Sequence, residues 1–203
     1  MRLKQLEMAL QRIAGFPHPR ASLEQYQTPA PLAARLLYHA HSKGDIQGKN
    51  VYDLGSGTGM IAIGAALLGA RRVQGVEIDP SAIVVAIENA TLLEVKAEFT
   101  AADVRDAPLA DRLGPCDTVV MNPPFGAQKA HADRPFIDFA IRISPVTYGI
   151  FNTGSIPFIE AYISGRATID ERVSGIFPIR RTFAFHKKDV REIGVEILRL
   201  VRN

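Results

Sequence analysis

The segment Asp53-Leu54-Gly55-Ser56-Gly57-Thr58-Gly59 begins in a short, mostly apolar stretch at residues 51–54 and ends just before an apolar run that begins at Met60. The stretch predicts a β-strand, and the run predicts a helix over residues 60–68. Glycine at three alternate positions lets the backbone turn sharply and approach a ligand closely, while the N-terminus of the helix offers free N–H groups. The segment therefore predicts a strand–loop–helix unit that binds a ligand, with a tight turn that binds nothing as the alternative.

Strands and helices alternate along the chain beyond this loop. Short apolar strands that alternate with helices are typical of a parallel sheet with helices on both faces. The last two strands are separated by a short loop at residues 183–189 and no helix, which predicts an antiparallel hairpin at one edge. The predicted strands are at residues 51–54, 73–78, 97–101, 118–121, 146–151, 172–180 and 192–201, and the helices between them at 60–68, 80–93, 135–143 and 156–164.

Two more helices are predicted before the sheet, at residues 2–14 and from about residue 29 to Ser42. The first is predicted from leucines at helical spacing, and the second from prolines that are well placed in a first helical turn. The sequence contains no internal repeat and no convincing linker. We therefore expect a single domain over residues 1–203, with residues 1–45 as an N-terminal preface and residues 46–203 as the catalytic core.

The composition of the 203-residue chain excludes several classes of protein. Hydrophobic residues make up 47% and charged residues 22%, as in globular proteins and unlike disordered ones. Its one cysteine, Cys116, excludes a disulfide scaffold, and its histidines show no metal-ligand spacing, so we expect no metal. The longest apolar run is too short to cross a bilayer, and the N-terminus lacks a signal-peptide core. We expect a cytoplasmic protein without a membrane association, and the net charge of +3 permits a polyanionic partner.

The residues around the glycine loop indicate which ligand it binds. Met60 stands where the dinucleotide fingerprint G-x-G-x-x-G needs its third glycine, which disfavours a nicotinamide oxidoreductase. Asp53 and the alternate glycines instead resemble the first motif of Rossmann-like, class I methyltransferases that use S-adenosyl-L-methionine (SAM). In such enzymes the loop packs against the methionine part of the cofactor, whose ammonium group suits a carboxylate. The resemblance implies SAM as the cofactor, with Asp53, Gly55 and Gly57 in its site.

Further cofactor-binding residues are predicted where the second and third strands end. A carboxylate at the end of the second strand can accept both ribose hydroxyls, so we predict that Glu77 binds the ribose and that Ile78 lies on the adenine. We expect Asp79 to cap the next helix. Asp103 and Val104 follow the third strand and are predicted to lie near the adenine amine, with a solvated strand end as the alternative.

The sequence Asn122-Pro123-Pro124-Phe125 follows the fourth predicted strand, at the sheet edge where parallel sheets bind ligands. Two successive prolines form a rigid turn, so the side-chain oxygen of Asn122 and the main-chain oxygen of Pro123 are two acceptors held close together. Two acceptors beside a phenyl ring suit a planar NH₂ group such as the exocyclic amine of adenine. We predict that these four residues are catalytic and that Asn122 also lies against the cofactor.

The turn by itself predicts methylation of an sp² nitrogen without distinguishing adenine from guanine or from a glutamine amide. An N5-glutamine protein methyltransferase is therefore one alternative, although such enzymes usually carry Tyr in place of Phe125 and a larger preface. A guanine-N2 RNA methyltransferase is a second, although these commonly have an RNA-binding module for which this chain has no length. A non-catalytic protein that binds nucleotides or assists ribosome assembly is a third.

Several segments together resemble the small adenine-N6 methyltransferases of ribosomal RNA, whose eukaryotic member is methyltransferase-like protein 5. The resemblance covers nearly the whole chain and implies that Gln25, Tyr26 and Thr28 close over the cofactor. It also implies one flipped adenine of small-subunit ribosomal RNA as substrate, and a small zinc-binding activator protein that adds along the sheet edge. The segments are Arg2-Leu3-Lys4-Gln5-Leu6-Glu7, Leu23-Glu24-Gln25-Tyr26-Gln27-Thr28, Asp53-Leu54-Gly55, Met121-Asn122-Pro123-Pro124-Phe125-Gly126 and Phe185-His186-Lys187-Lys188.

Two groups of basic residues are candidates for RNA contacts. Lys129 and Arg134 lie in a loop just after the predicted catalytic turn, where a solvated loop is the alternative. The loop of the last hairpin mixes aromatic and basic residues, a combination that neutralises phosphates and contacts bases in RNA-binding proteins. The candidates in this loop are Phe185, His186, Lys187 and Lys188. Single-stranded or loop RNA is the expected form, because the target base must leave its stack.

Overall fold

The computed structural model describes residues 1–126, 128–180 and 190–203. Within these residues, seven strands form one sheet: β1 (Asn50–Leu54), β2 (Arg72–Glu77), β3 (Glu98–Ala101), β4 (Thr118–Met121), β5 (Val146–Asn152), β6 (Ala167–Arg180) and β7 (Val190–Arg202). Their order across the sheet is β3-β2-β1-β4-β5-β7-β6. β1 to β5 pair in parallel, whereas β7 is antiparallel to both β5 and β6. The predicted parallel sheet with an antiparallel edge hairpin is confirmed.

Helices cover both faces of this sheet. The described α-helices are α1 (Leu3–Leu10), α2 (Ala30–Ser42), α3 (Met60–Leu67), α4 (Pro80–Leu92), α5 (Leu109–Leu113), α6 (Arg134–Ile143) and α7 (Ile156–Ile163). Successive strand residues point to opposite faces, so Val119 and Val120 belong to two different hydrophobic clusters. One cluster contains residues of α1, α2 and α3, and the other contains residues of α5, α6 and α7.

Three elements differ from the sequence-based expectation, each for a local reason. α1 ends at Leu10 rather than near residue 14, because the main chain of Ala14 pairs with the side chain of Asn89 at 2.9 and 3.0 Å instead of continuing the helix. β6 begins at Ala167 rather than at residue 172, and a bulge between Ile169 and Glu171 breaks the regular alternation of its side chains. The short helix α5 was not predicted.

The N-terminal preface packs directly on α3. Gly64 of α3 lets α2 approach closely, since a Cβ atom at Gly64 would lie 2.3 Å from Cδ1 of Leu37 and 3.4 Å from Cδ2 of Leu10. Both leucines are fully buried. This packing explains why α3 is apolar on nearly all sides: the sheet covers one side and the preface covers another. No helix in the described part of the chain is both long enough and apolar enough to span a membrane.

Leu37→Ala tests the contribution of the preface to stability. Removing this fully buried side chain leaves a cavity between α2 and α3, so we expect the free energy of unfolding to fall by about 2–5 kcal/mol. Urea unfolding followed by circular dichroism measures the change. Leu92→Ala on α4 is the matched control, since Leu92 is 51% exposed. Equal losses for the two variants would contradict the packing described for α2.

Candidate active site

A cavity of about 280 Å³ lies at the carboxyl ends of the parallel strands. It opens where the strand order reverses, between β1 with β2 on one side and β4 with β5 on the other. Parallel sheets bind their ligands at this switch point, because the loops that follow the two central strands turn away from each other. The cavity is lined by the loops after β1, β2, β3 and β4, and by residues 22–28 of the preface.

The glycine loop after β1 turns through left-handed backbone conformations and is tied to β2. Gly55 and Gly57 have φ values of 72° and 53°, which side chains with a Cβ rarely adopt. The N–H of Gly55 donates to the main-chain oxygen of Val76 at 2.8 Å, and the N–H of Gly57 donates to Oε2 of Glu77 at 2.9 Å. The sequence thus places glycines where the conformation requires them, and the loop holds the carboxylate of Glu77 beside the cavity.

Glu77 ends β2 with a nearly buried carboxylate. Its Oε1 accepts the N–H of Asp79 at 2.9 Å, so each of its oxygens accepts one of these backbone hydrogen bonds. Burial raises the pKa of Glu77, while these hydrogen bonds oppose the rise. A carboxylate offers about four acceptor positions, so it can still accept two hydroxyls of a ligand. Asp79 caps α4, as expected, by accepting the N–H of Ser81 at 3.0 Å.

An apolar wall and an ion pair form the next part of the cavity. Ile78 is 45% exposed and lines the cavity with Val104, which suits a flat apolar ring. Asp103 also lines it, but both carboxylate oxygens accept from Nε of Arg105 at 2.9 Å. Hydrogen bonds from Arg105 lower the pKa of Asp103. Sequence reasoning missed Arg105, which also lines the cavity.

Asp53 is a buried carboxyl group with one unsatisfied oxygen. Its Oδ2 accepts the N–H of Ala62 in α3 at 2.8 Å, and its Oδ1 has no hydrogen-bond partner among the residues that the structure describes. Burial, and to a lesser extent the charge of Glu77, raise the pKa of Asp53 to about 7. Asp53 lines the cavity, and a buried acceptor without a donor there favours a ligand with a cationic N–H group.

Residues 20–28 of the preface, here called the strap, connect the two halves of the cavity rim. Near β2, Nε2 of Gln25 donates to Oδ2 of Asp79 at 2.8 Å, and its Oε1 accepts the N–H of Arg20 at 2.8 Å. Near β4, the hydroxyl of Thr28 accepts from Nδ2 of Asn122 at 2.9 Å. Tyr26 lines the cavity between these two points, and burial raises its pKa. The three strap residues named from the sequence therefore lie at one site.

Asn122 has the orientation that an acceptor role requires. Its amide nitrogen donates to Thr28, which leaves Oδ1 as the free atom of the amide. This oxygen is buried and has no hydrogen-bond partner in the described part of the chain. A buried carbonyl oxygen without a donor is costly, so such an atom beside a cavity favours a ligand that brings an N–H group. Pro123 and Pro124 line the same cavity.

Phe125 packs on a side chain that sequence reasoning missed. Its ring meets the ring of Phe177 edge to face, with centroids 5.5 Å apart and planes at 87°. Phe177 comes from β6, is almost fully buried and lines the cavity. A strand pattern alone could not have placed it there, because the contact depends on the course of β6 relative to β4. Glu24 was also missed as a site residue, although its carboxylate bonds to the turn after β4.

The residues predicted to contact RNA fall into three groups. Lys129 is exposed at the cavity, together with His131. Arg134 does not line the cavity, because its guanidinium group lies over the ring of Tyr162 at 4.7 Å. Phe185, His186, Lys187 and Lys188 lie outside the described residues. Within the described ranges, no group of three or more His, Cys, Asp or Glu side chains is placed to hold a metal ion.

Comparison with known proteins assigns this site to a family. Residues 34–123 match the family model described as ribosomal protein L11 methyltransferase (PrmA), which covers less than half of the chain. Over its full length, the chain is 33% identical to the rRNA N(6)-adenosine-methyltransferase Mettl5 of Drosophila melanogaster, with 98% of this chain and 96% of that protein covered. The chain belongs to the METTL5-type rRNA N6-adenosine methyltransferases. Its fold is that of a class I methyltransferase, and its cofactor is SAM.

Two archaeal proteins are similar to this METTL5-type chain over nearly its whole length. An uncharacterised protein of Methanocaldococcus jannaschii is 41% identical, with 97% of this chain and 93% of that protein covered. The crystal structure of a candidate RNA methyltransferase from Pyrococcus horikoshii superposes with a TM-score of 0.90 at 40% identity, covering 100% of this chain and 98% of that one. The resemblance stated from the sequence motifs is thus confirmed at the level of the family.

The residues present in the cavity fit SAM. The unsatisfied Oδ1 of Asp53 suits the ammonium group, the placed carboxylate of Glu77 suits the ribose hydroxyls, and the exposed side chain of Ile78 suits the face of the adenine. Asp53 and Glu77 lie near the carboxyl ends of β1 and β2, and Ile78 directly follows β2, so all three groups border the same cavity. The fit is therefore one of charge, hydrogen bonding and shape.

Asp53→Asn is expected to change how stability depends on pH. Folded Asp53 keeps its proton up to about pH 7, whereas the unfolded chain loses it near pH 4. The folded state therefore binds more protons between these values, and the free energy of unfolding falls as the pH rises from about 4 to 7. Asparagine lacks this proton, so the variant gains stability relative to the parent protein over that interval.

Urea unfolding at pH 5 and pH 8 without cofactor measures this effect. At each pH, the free energy of unfolding of the parent is subtracted from that of Asp53→Asn. We expect this difference to be larger at pH 8 than at pH 5 by at least about 1 kcal/mol, the equivalent of roughly one pKa unit. Asp111→Asn is the control for loss of a carboxylate, since the side chain of Asp111 is 81% exposed. Identical pH profiles for the two variants would contradict the role of burial at Asp53.

Proposed function

We propose that this chain transfers the methyl group of SAM to the exocyclic N6 of one adenine in small-subunit ribosomal RNA. The observation that carries the proposal is the amide of Asn122, whose nitrogen is bonded to Thr28 and whose buried Oδ1 has no partner in the described part of the chain. This oxygen lies beside Pro123 and Phe125 at the cavity. Family membership supports N6 of adenine as the atom that is methylated.

Side chains at the ends of β1, β2 and β3 each have a role in holding the cofactor. Asp53 holds the ammonium of SAM, with Gly55 and Gly57 allowing close approach of the loop. Glu77 accepts the ribose hydroxyls. Ile78 and Val104 enclose the adenine, and the Asp103 carboxylate faces its amine. In the strap, Gln25, Tyr26 and Thr28 close over the cofactor, which supplies an electrophilic methyl group on its sulfonium when bound.

Asn122 and Pro123 make the target amine nucleophilic. The lone pair of an exocyclic adenine amine is delocalised into the ring, so the amine is a weak nucleophile. Hydrogen bonds from its two N–H groups to Oδ1 of Asn122 and the main-chain oxygen of Pro123 favour the tetrahedral form, whose lone pair points out of the ring plane. These acceptors are fixed before the substrate arrives, because Pro124 stiffens the turn and Thr28 orients the amide.

Phe125 and the departing proton complete the mechanism. Phe125 stacks on the extruded base, a contact worth about 1–3 kcal/mol in other nucleic-acid complexes. Its edge-to-face contact with Phe177 fixes the ring in advance. Methylation leaves a positive charge on N6, which makes the remaining protons acidic, so one proton passes to solvent without a strong base. A metal ion has no task in this sequence of events.

Comparisons favour adenine over the two alternative acceptors. The match to a protein methyltransferase family is confined to residues 34–123, whereas the full-length match is to an rRNA N6-adenosine methyltransferase. A glutamine amide and the amine of guanine are therefore less well supported than adenine. We also propose a cytoplasmic location, which suits an enzyme that acts on ribosomal RNA.

The RNA contacts that we propose extend from the cavity. Lys129 at the rim neutralises phosphates next to the flipped base, and Arg134 continues this contact from the start of α6. On the sequence alone, we also propose that Lys187 and Lys188 neutralise phosphates and that Phe185 and His186 contact bases or riboses. Single-stranded or loop RNA suits this arrangement, since the base must be free to leave its stack.

A small zinc-binding activator protein is the second partner that we propose. Of the two edges of the sheet, β3 is the better candidate, because α4 packs beside it and exposes Val84 (56%) and Ile87 (52%). An activator that adds along β3 would pair with the free edge of the strand and cover these two side chains. Exposed apolar side chains next to a free strand edge favour such an interface.

Asn122→Ala tests the catalytic proposal. We expect methyl transfer to ribosomal RNA to fall by about 100-fold or more, as for loss of other preorganised polar groups, while the affinity for SAM changes little. Incorporation of the labelled methyl group, followed by nucleoside analysis for N6-methyladenosine, measures transfer, and calorimetry measures SAM binding. Asn203→Ala at the exposed terminus is the control. Activity within a few-fold of the parent, or label in protein or guanine, would contradict the proposal.

Val84→Glu combined with Ile87→Glu tests the β3 edge. We expect the affinity for the activator to fall by about 100-fold or more, because two charges would be buried against its apolar surface. Binding of SAM should stay unchanged, since neither residue lines the cavity. Ile176→Glu on β6, where Ile176 is 60% exposed, is the control for the other edge. If only Ile176→Glu lost activator binding, the result would contradict an interface at β3 and indicate one at β6.

A further inference from the structure

The backbone of the turn after β4 has few hydrogen-bond donors. Pro123 and Pro124 carry no N–H group, so the first donor after Asn122 is the N–H of Phe125. The two prolines limit rotation within the turn but cannot fix where its far end lies. A contact at Phe125 therefore decides how the main-chain oxygen of Pro123 is placed relative to Oδ1 of Asn122.

Glu24 of the strap provides this contact. Its Oε2 accepts the N–H of Phe125 at 2.8 Å, and its Oε1 accepts the N–H of Gln128 at 2.9 Å. Hydrogen bonds between a carboxylate and backbone N–H groups are stronger than those between neutral groups. Between the two donors, Gly126 turns the chain with a φ of 80°, so both N–H groups reach the same carboxylate.

The backbone at Glu24 is shaped for this contact. Glu24 ends the 3-10 turn Ala21–Leu23 with a φ of 50°, a left-handed conformation that is unfavourable for a residue with a Cβ. The N–H of Glu24 donates to the main-chain oxygen of Ala21 at 3.0 Å, and the main-chain oxygen of Glu24 accepts the N–H of Tyr26 at 2.8 Å. A glycine would adopt this turn at lower cost, so the conformation at Glu24 carries a cost that the hydrogen bonds of its carboxylate offset.

We propose that Glu24 is a positioning residue for methyl transfer. Its carboxylate fixes Phe125, while Thr28, four residues later in the strap, fixes Asn122. The turn at residues 122–125 is thereby held at both ends by one short segment, and the two proposed acceptors keep their spacing when RNA enters. The inference rests on the proposed function for its catalytic consequence, whereas the restraint on the turn is independent of the substrate.

Glu24→Gly and Glu24→Gln test this role in the full-length protein. Glycine keeps the left-handed turn but removes the carboxylate, so we expect kcat for methyl transfer to ribosomal RNA to fall about 30-fold or more, the order of loss that a displaced catalytic group causes. Glutamine can accept one of the two hydrogen bonds and should restore part of kcat. The Kd for SAM should stay within about three-fold in both, since Gln25 still bonds to Asp79.

Glu94→Gly is the matched control. Glu94 is also left-handed, with a φ of 55°, but it is exposed just after α4 and does not line the cavity. We expect kcat equal to that of the parent. Near-parental kcat in Glu24→Gly would overturn the inference, and so would a loss of SAM affinity as large as the loss of kcat, which would indicate a structural role.

Amide hydrogen exchange tests the restraint without any substrate. The N–H groups of Phe125 and Gln128 should exchange faster in Glu24→Gly than in the parent, and at the parental rate in Glu94→Gly. Unchanged exchange in Glu24→Gly would overturn the inference. A parent protein that failed to methylate ribosomal RNA would instead count against the proposed function, and the exchange result would still decide the role of Glu24.

Discussion

The reversal of strand order between β1 and β4 is the constraint on which the site depends. At this point the loops after neighbouring parallel strands diverge and leave a crevice that the sheet cannot fill. Asp53, Glu77 and Asn122 meet there because each lies at or next to the carboxyl end of a parallel strand, whereas the strap and Phe177 reach the site from other parts of the chain. The strap closes the crevice from outside: Gln25 donates a hydrogen bond to Asp79 on one side, and Thr28 accepts one from Asn122 on the other.

The sequence predicted those features that depend on local chemistry. Three features lie at strand ends: the glycine loop after β1, the acid at the end of β2 and the prolyl turn after β4. Residues of these types at a strand end are typical of a ligand site, so their positions could be predicted before the fold was known. The parallel sheet and its edge hairpin followed from the alternation of elements. Even the cap at Asp79 follows from an acid placed directly before Pro80.

The remaining features depend on contacts between distant parts of the chain. Phe177 lies within a strand that the sequence predicted, but its contact with Phe125 depends on where β6 lies relative to the turn after β4, which the strand pattern does not show. Arg105 could not be assigned to Asp103 in advance, because exposed arginines have many possible partners. Glu24 lies in a segment that the sequence marked as part of the site. Its carboxylate accepts from backbone N–H groups, and because almost every residue has one, the sequence does not indicate which of them it contacts.

The separation of these contacts along the chain has a consequence for synthesis. Glu24 and Phe125 are 101 positions apart, and Thr28 and Asn122 are 94 apart. The preface leaves the ribosome first, yet the strap cannot be ordered by these bonds until β4 has emerged and paired with β1. Closing so long a loop is slow compared with forming a helix. We therefore expect a nascent chain to bind neither cofactor nor RNA in the mature manner until more than half of it has been translated.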